Sequence, residues 1–240
     1  MKAKIRVLLI RFYALFYFKK RSKVIFYHDI HSNKKYTEMS TSIDLFIKHV
    51  KIINDSGYEI VPKITKSYGQ IEICFDDGFI GLYENFDIIK KYNIPVSLFV
   101  ITSFIDKKKY LNKNQIFELY KSGLVSIYSH THTHSKLTSL SEVKIDFELL
   151  ESKKIIENII NKQIDSICFP QGIFNKKVIN SSIRAGYSKI YTSLPGFSNA
   201  SQNIIKRSLV QFSSVKTFLA ILKGGDHCLF FWYKLKHFSK

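Results

Sequence analysis

The chain has 240 residues, 45% of them hydrophobic, with only 4 prolines and 10 glycines, which excludes disorder and supplies enough apolar material for one domain with a core. Its 37 Lys and Arg against 19 Asp and Glu give a formal charge of +18; such a field attracts phosphate, anionic lipid or nucleic acid, yet no helix-turn-helix, zinc-finger or RNA-binding signature accompanies it, so no nucleic-acid partner is expected. Cys74, Cys168 and Cys228 form neither a CxxC pair nor an even-numbered framework, which excludes a disulfide scaffold and suits a reducing compartment, the cytoplasm.

Residues 1–23 are basic and apolar. Arg11 interrupts the apolar stretch, which falls short of the ~20 residues that span a bilayer, and no small-residue cleavage site follows, so neither a signal peptide nor a membrane span is expected. An interfacial helix remains, with Val7, Leu8, Phe12, Leu15 and Phe16 on one face and Lys4, Arg6, Arg11, Lys19 and Lys20 reaching lipid headgroups. Its competitor is an ordinary helix packed on the domain. The run VIFYH (24–28) opens a domain over 24–212 in which helices hand over to strands. A helix over 43–55 stops at Gly57 before YEIV, and IEICF (71–75) follows. LYENFDIIKKYN ends at Asn93 before IPVSLFV; a helix over 114–121 ends at Gly123 before LVSIYS. The longest helix, 141–161, repeats Ile145, Leu149, Ile156 and Ile160 at helical spacing, with Ser139 and Glu142 as a capping box, and leads to IDSICF. A helix over 176–185 ends at Gly186 before YSKIYT, and IIKRSLV (204–210) reads as the last strand. Gly just past a helix adopts the left-handed conformation that ends it. Residues 213–240 form a basic aromatic tail with Lys234, Lys236 and Lys240. Near-continuous apolar strands alternating with helices imply an α/β fold, a parallel barrel or doubly wound sheet of about seven strands with helices outside and function at the C-terminal strand edges.

Chemistry-bearing residues gather at those edges. In Phe75-Asp76-Asp77-Gly78 adjacent carboxylates point to different sides, so one is free to bind a cation while the other takes a second task, and Gly78 lets a ligand approach the backbone. His130, His132 and His134 are three imidazoles in five residues, a density apt for zinc or a similar ion. Extended backbone puts all three on one face, whereas one helical turn joins only His130 and His134, so spacing leaves the ligating pair open. Two imidazoles plus a carboxylate from another strand edge make a three-ligand site with a position for water, the make-up of catalytic metal centres.

The order FDDG, then SHTxxH followed by Leu and a Ser-Glu helix start, then Pro-x-Gly, resembles the polysaccharide deacetylase family (NodB homology domain, carbohydrate esterase family four) over residues 24–212. The resemblance implies a distorted (β/α) barrel and a metal-dependent hydrolase that removes an N-acetyl or similar acyl group from an amino sugar in cell-surface polysaccharide biosynthesis or modification. By carry-over Asp76 is the general base; Asp77, His130 and His134 hold a divalent ion, with Zn²⁺ the leading candidate; His132 is a bystander. Many members have Arg-x-Pro-x-Gly where Cys168-Phe169-Pro170-Gln171-Gly172 stands here. That Arg orients the base, so its loss leaves open what positions Asp76; Arg207 is a candidate replacement. The N–H of Gln171 is the implied oxyanion donor. The Leu-x-His that supplies an acid in many members is not found after IIKRSLV. Tyr27-His28-Asp29 instead resembles the rearranged subgroup that includes poly-N-acetylglucosamine de-N-acetylases, which makes His28 the acid, with Asp29 beside it to orient it. The implied partner is an N-acetylated glycan, and the basic surface favours a lipid-linked one, such as an undecaprenyl-diphosphate sugar, at an anionic membrane's cytoplasmic face. Two competitors are a catalytically impaired glycan or lipid binding module on the same barrel, for which Cys168 argues, and a metal phosphoesterase or nuclease, which needs carboxylates for a second ion that the strand edges do not supply.

Overall fold

A computed structural model describes residues 3–16 and 20–238; Lys19, named above for lipid contact, and Lys240 of the basic tail lie outside the described residues. The amphipathic patterns become helices α1 (Ala3–Tyr13), α2 (Ile43–Asp55), α5 (Lys113–Lys121), α6 (Glu142–Ile160), α7 (Lys176–Arg184), α8 (Val215–Leu222) and α9 (Phe230–His237). The segment after Gly78 is two short helices, α3 (Gly81–Glu84) and α4 (Phe86–Lys91), because Asn85 leaves helical geometry and its side-chain amide donates to the Gly81 carbonyl at 2.8 Å. At the start of α6 the cap is Ser141, with no side-chain hydrogen bond, while Ser139 Oγ donates to the Lys136 carbonyl. The expected capping box therefore does not form.

The apolar runs become β1 (Lys23–Tyr27), β5 (Gln70–Phe75), β6 (Val96–Val100), β7 (Val125–Ser129), β8 (Ser166–Cys168) and β9 (Lys189–Tyr191), with β4 (Glu59–Ile60) beside β5 and a small separate pair, β2 (Asp29–His31) and β3 (Ser40–Ser42). The run 204–210 is two strands rather than one, β10 (Ile204–Ile205) on β9 and β11 (Arg207–Leu209) on β1. Arg207, the first residue of β11, donates its N–H to the Leu194 carbonyl at 2.9 Å. The sheet runs β10-β9-β8-β7-β6-β5-β1-β11, every ladder parallel. Its two edges are consecutive in the chain, joined only through Lys206, and that continuity closes the distorted barrel.

Two hydrophobic clusters follow from the period of two along each strand. Val24, Phe26, Cys74, Phe99, Cys168 and Tyr191 fill the barrel, and the larger cluster lies between strands and helices, where Ile25, Ile73 and Ile127 meet Val50, Ile116 and Leu149. The interior parity continues beyond the strand ends: 24, 26 and 28 on β1, and 72, 74 and 76 on β5. It delivers His28 and Asp76 to the mouth of the barrel.

Candidate metal centre

Asp77, His130 and His134 come together at that mouth, their ligand atoms all within 4.8 Å of one another. By parity Asp77 belongs outside the barrel, but its φ of 74° turns the chain and swings the carboxylate inward. Thr131 and His134 are also left-handed, at 65° and 62°, which folds the histidine loop so that His130 and His134 face each other, ring centroids 4.8 Å apart. His132 leaves the centre and bonds through Nδ1 to Thr102 Oγ1 at 2.9 Å. Non-glycine residues with positive φ are uncommon, and their concentration here marks backbone held by its surroundings for a purpose.

Those surroundings are specific. Buried Glu148 on α6 accepts the N–H groups of His132 and Thr133 at 3.0 and 2.7 Å and the Thr133 hydroxyl, and the Thr131 hydroxyl accepts the His134 N–H at 3.2 Å. The His130 Nδ1–H donates to the Cys168 carbonyl at 2.8 Å, which turns Nε2 toward Asp77, the arrangement that orients a ligating imidazole. Nε2 of His130 and of His134 lie 3.4 and 3.7 Å from Asp77 Oδ1, a buried oxygen with no hydrogen-bond partner. Ligands ~2.1 Å from one tetrahedral ion stand ~3.4 Å apart, so the three side chains fit a zinc-like ion. Burial and the neighbouring His130 bring the His134 pKa down to about 4, leaving a free lone pair at neutral pH. At His130 burial opposes a charged ring, but Cys168, Asp77 and Asp76 raise its pKa well above the histidine range.

Asp76 has a different partner. Arg207 runs up the barrel interior between the rings of Phe26 and Phe99 and forks onto the carboxylate, Nη1 to Oδ1 at 2.7 Å and Nη2 to Oδ2 at 2.8 Å. Its Nε donates to the Thr192 carbonyl, and Nη2 touches Cys168 Sγ. Burial pushes the Asp76 carboxyl up, but the adjoining guanidinium charge outweighs it and holds the pKa at about 2. Asp76, His130 and Cys168 also have ligand atoms within 4.8 Å, but Arg207 already places a full positive charge there, which disfavours a second cation.

His28 is half-buried beside the centre, its Nδ1 bonded to Gln211 Oε1 at 2.6 Å. Asp29 does not orient it: the next residue along a strand faces the other way, and the Asp29 carboxylate is buried against Gly81, where a Cβ would lie 2.3 Å from Oδ1. Gln171 is left-handed, with φ 57°, and among the described residues its N–H donates to no other group. Gly172 must be glycine, since a Cβ would sit 2.6 Å from the Ser193 side chain at φ 66°.

All six expected site residues, His28, Asp76, Asp77, His130, His134 and Gln171, line one cavity of about 590 Å³. Three further residues escaped the sequence. Glu148 was visible as an acid on the apolar stripe of Ile145 and Leu149. Gln211 carried no signal. Contrary to the expectation above, a Leu-x-His does follow IIKRSLV: it is Leu235-Lys236-His237, whose His237 lines the cavity and bonds through Nδ1 to the Gln171 carbonyl at 3.1 Å.

Two imidazoles and a carboxylate converging at the C-terminal edge of a parallel barrel have the make-up of a catalytic rather than a structural metal site. The family model described as polysaccharide deacetylase matches residues 63–190, just over half of the chain. The chain belongs to the polysaccharide deacetylase family, hydrolases that act on the amide bonds of glycans. Bacillus subtilis YxkH, named for the same family, is 28% identical over 201 residues, 79% of this chain and 71% of that protein. The Staphylococcus aureus poly-beta-1,6-N-acetyl-D-glucosamine N-deacetylase is 33% identical over 128 residues, 48% of this chain but only 44% of that enzyme. In fold the chain is similar to IcaB from Ammonifex degensii (TM-score 0.76, 18% identity, 86% of this chain and 98% of that one) and to the Streptococcus pyogenes deacetylase PplD (TM-score 0.74, 21% identity, 85% and 99%).

Proposed function

We propose that the protein is a zinc-dependent N-deacetylase that converts an N-acetylated amino sugar of a cell-surface glycan to acetate and free amine. The observation that carries this reading is the unpartnered buried oxygen of Asp77 between two imidazoles, beside a second carboxylate kept ionised by Arg207. Asp77, His130 and His134 would hold the ion, which would lower the pKa of water and polarise the acyl carbonyl. Water attacks the acyl carbon as its proton passes to Asp76; a carboxylate so acidic takes that proton only as the new bond forms. The Gln171 N–H stabilises the oxyanion. The bond to nitrogen then breaks with a proton from His28, whose Nδ1–H is fixed on Gln211 so that Nε2 carries the transferred proton.

The similarity to an N-acetyl-D-glucosamine N-deacetylase supports a substrate of that kind. Two further parts of the proposal are a lipid-linked form of the glycan at an anionic membrane surface, supported by the charge of +18, and the cytoplasmic side, supported by three free cysteines. The test is acetate release from an N-acetylglucosamine oligomer by the purified chain, with chelator and after zinc is restored. Loss and recovery are expected. Undiminished release by an Asp77→Ala variant would refute the ligand set, and tight zinc binding with no turnover on any acetylated glycan would refute the reaction.

A further inference from the structure

The cavity that begins at Asp77 continues to the terminal helices, where Arg6, Arg11, Thr217, Tyr233 and Lys236 line it. There α1 is a packed part of the molecule: Ile10 and Ala14 are buried, and the Ile10 carbonyl comes so close to Gly225 that a Cβ there would lie 2.1 Å away. Its opposite side is unusual. Ile5, Leu8, Leu9 and Phe12, continued by Leu15 and Phe16 in the turn just past the helix, recur at helical spacing and are all exposed, Leu8 by 69%, Phe12 by 60% and Phe16 by 70%. Val7, expected on this face, turns toward the cavity instead. The neighbouring α9, tied to α1 by the hydrogen bond from Arg6 to Tyr233 at 3.1 Å, leaves Phe231, Trp232 and Leu235 exposed, Leu235 by 85%. Large apolar side chains exposed together along one helix face mark an interaction surface.

Its charge identifies the partner. Arg11 rests on the Ser214 and Thr217 hydroxyls at the N-terminus of α8, whose first turn has no acidic residue and holds Lys216. A guanidinium beside the positive end of a helix dipole has its field unopposed there. Among the described residues neither Arg6 nor Arg11 pairs with a carboxylate. Large apolar side chains flanked by unopposed cations suit an anionic bilayer, acyl chains under the stripe and phosphates beside the arginines. Among the described residues no helix is long and apolar enough to cross a membrane.

We infer that α1 and α9 lay this face into the headgroup layer of an anionic bilayer and hold the helix-lined end of the cavity against the lipid. The inference deepens the membrane part of the proposed function, yet it stands on surface geometry and not on the reaction. Trp232 is the chain's single tryptophan, so docking is read by fluorescence. With vesicles of equal parts phosphatidylglycerol and phosphatidylcholine, the full chain should co-sediment, shift its emission to the blue and be quenched by brominated acyl chains. A Leu8→Ser, Phe12→Ser variant should partition at least tenfold less, with an unchanged circular dichroism spectrum, and Arg11→Gln should weaken binding to anionic but not to pure phosphatidylcholine vesicles. Equal partitioning of the stripe variant overturns the inference; so does a lipid-free dimer that the same variant dissociates, since the face then belongs to a second copy. Acetate release from a soluble acetylated oligosaccharide reads the metal centre separately. Vesicle binding without acetate release removes the deacetylase reading alone, and acetate release without vesicle binding removes only the docking face.

Discussion

Arg207 grips both carboxylate oxygens of Asp76, at 2.7 and 2.8 Å, from 131 residues further along the chain. Both groups are buried, so each is tolerable only because of the other. Arg207→Met should therefore destabilise the protein by about 3–5 kcal/mol and raise the Asp76 pKa. The double variant Asp76→Asn, Arg207→Met should recover part of that loss, a coupling of about 0.5–3 kcal/mol. Thermal unfolding of the four proteins measures it, and strict additivity would show that the pair does not act as a unit.

The same pair has a pH signature. Its carboxyl is depressed to about 2 in the fold, so the stability it contributes is complete above the unfolded value near 4 and is lost as pH falls from there through about 2. An acid-unfolding curve for Asp76→Asn should consequently be flatter than wild type in that window and parallel above it.

Asp29 behaves in the opposite sense. Its carboxyl is buried, and burial, opposed only in part by the neighbouring Ile30, Ser40 and Leu82, raises its pKa to about 7. The folded state then holds a proton that the unfolded chain releases near pH 4, so stability falls as pH rises between those values. Asp29→Asn should be more stable than wild type by about 2 kcal/mol or more at pH 8, with the gap closing below pH 4. A constant gap across pH would contradict the assignment.

Glu148 sits outside the centre but holds the loop that carries two of its proposed ligands, His130 and His134. Glu148→Gln keeps the shape and loses charge-assisted acceptance, so zinc affinity should drop about 10- to 100-fold with little change in stability. Calorimetric titration with zinc decides; an unchanged affinity means the left-handed loop is held by Thr131 and packing alone.

If His28 protonates the departing amine, His28→Gln should reduce turnover of a sugar acetamide by about 10²–10⁴-fold. An acetanilide-type substrate whose amine is a better leaving group should lose much less. Equal losses on both would assign His28 to binding rather than proton transfer.

The centre's local parts were readable because strand periodicity and short spacings carry them. Asp76, Asp77, His130 and His134 lie within a few residues of apolar runs whose ends had to meet at one barrel edge. The side of the chain on which Asp29 falls was readable too, since 24, 26 and 28 share a parity that 29 breaks, and a full helical count on α1 gives Ile5 and Leu9 in place of Val7. The grip of Arg207 on Asp76 depends on the sheet closing through Lys206, a relation between its two edges that no local pattern states. His237 was hidden for a similar reason: its motif lies on a helix at the end of the chain, and only the docking of α9 against Gly172 and Gln171 brings it to the cavity.

Because the sheet's last two strands flank Lys206, a ribosome must pass that codon before the polypeptide can seal its barrel or supply the guanidinium. Any nascent chain shorter than this buries Asp76 without its counter-ion and is left protonated or unfolded there. Premature termination between His134 and Arg207 should thus yield an inert, protease-sensitive product even though every proposed metal ligand has already been translated.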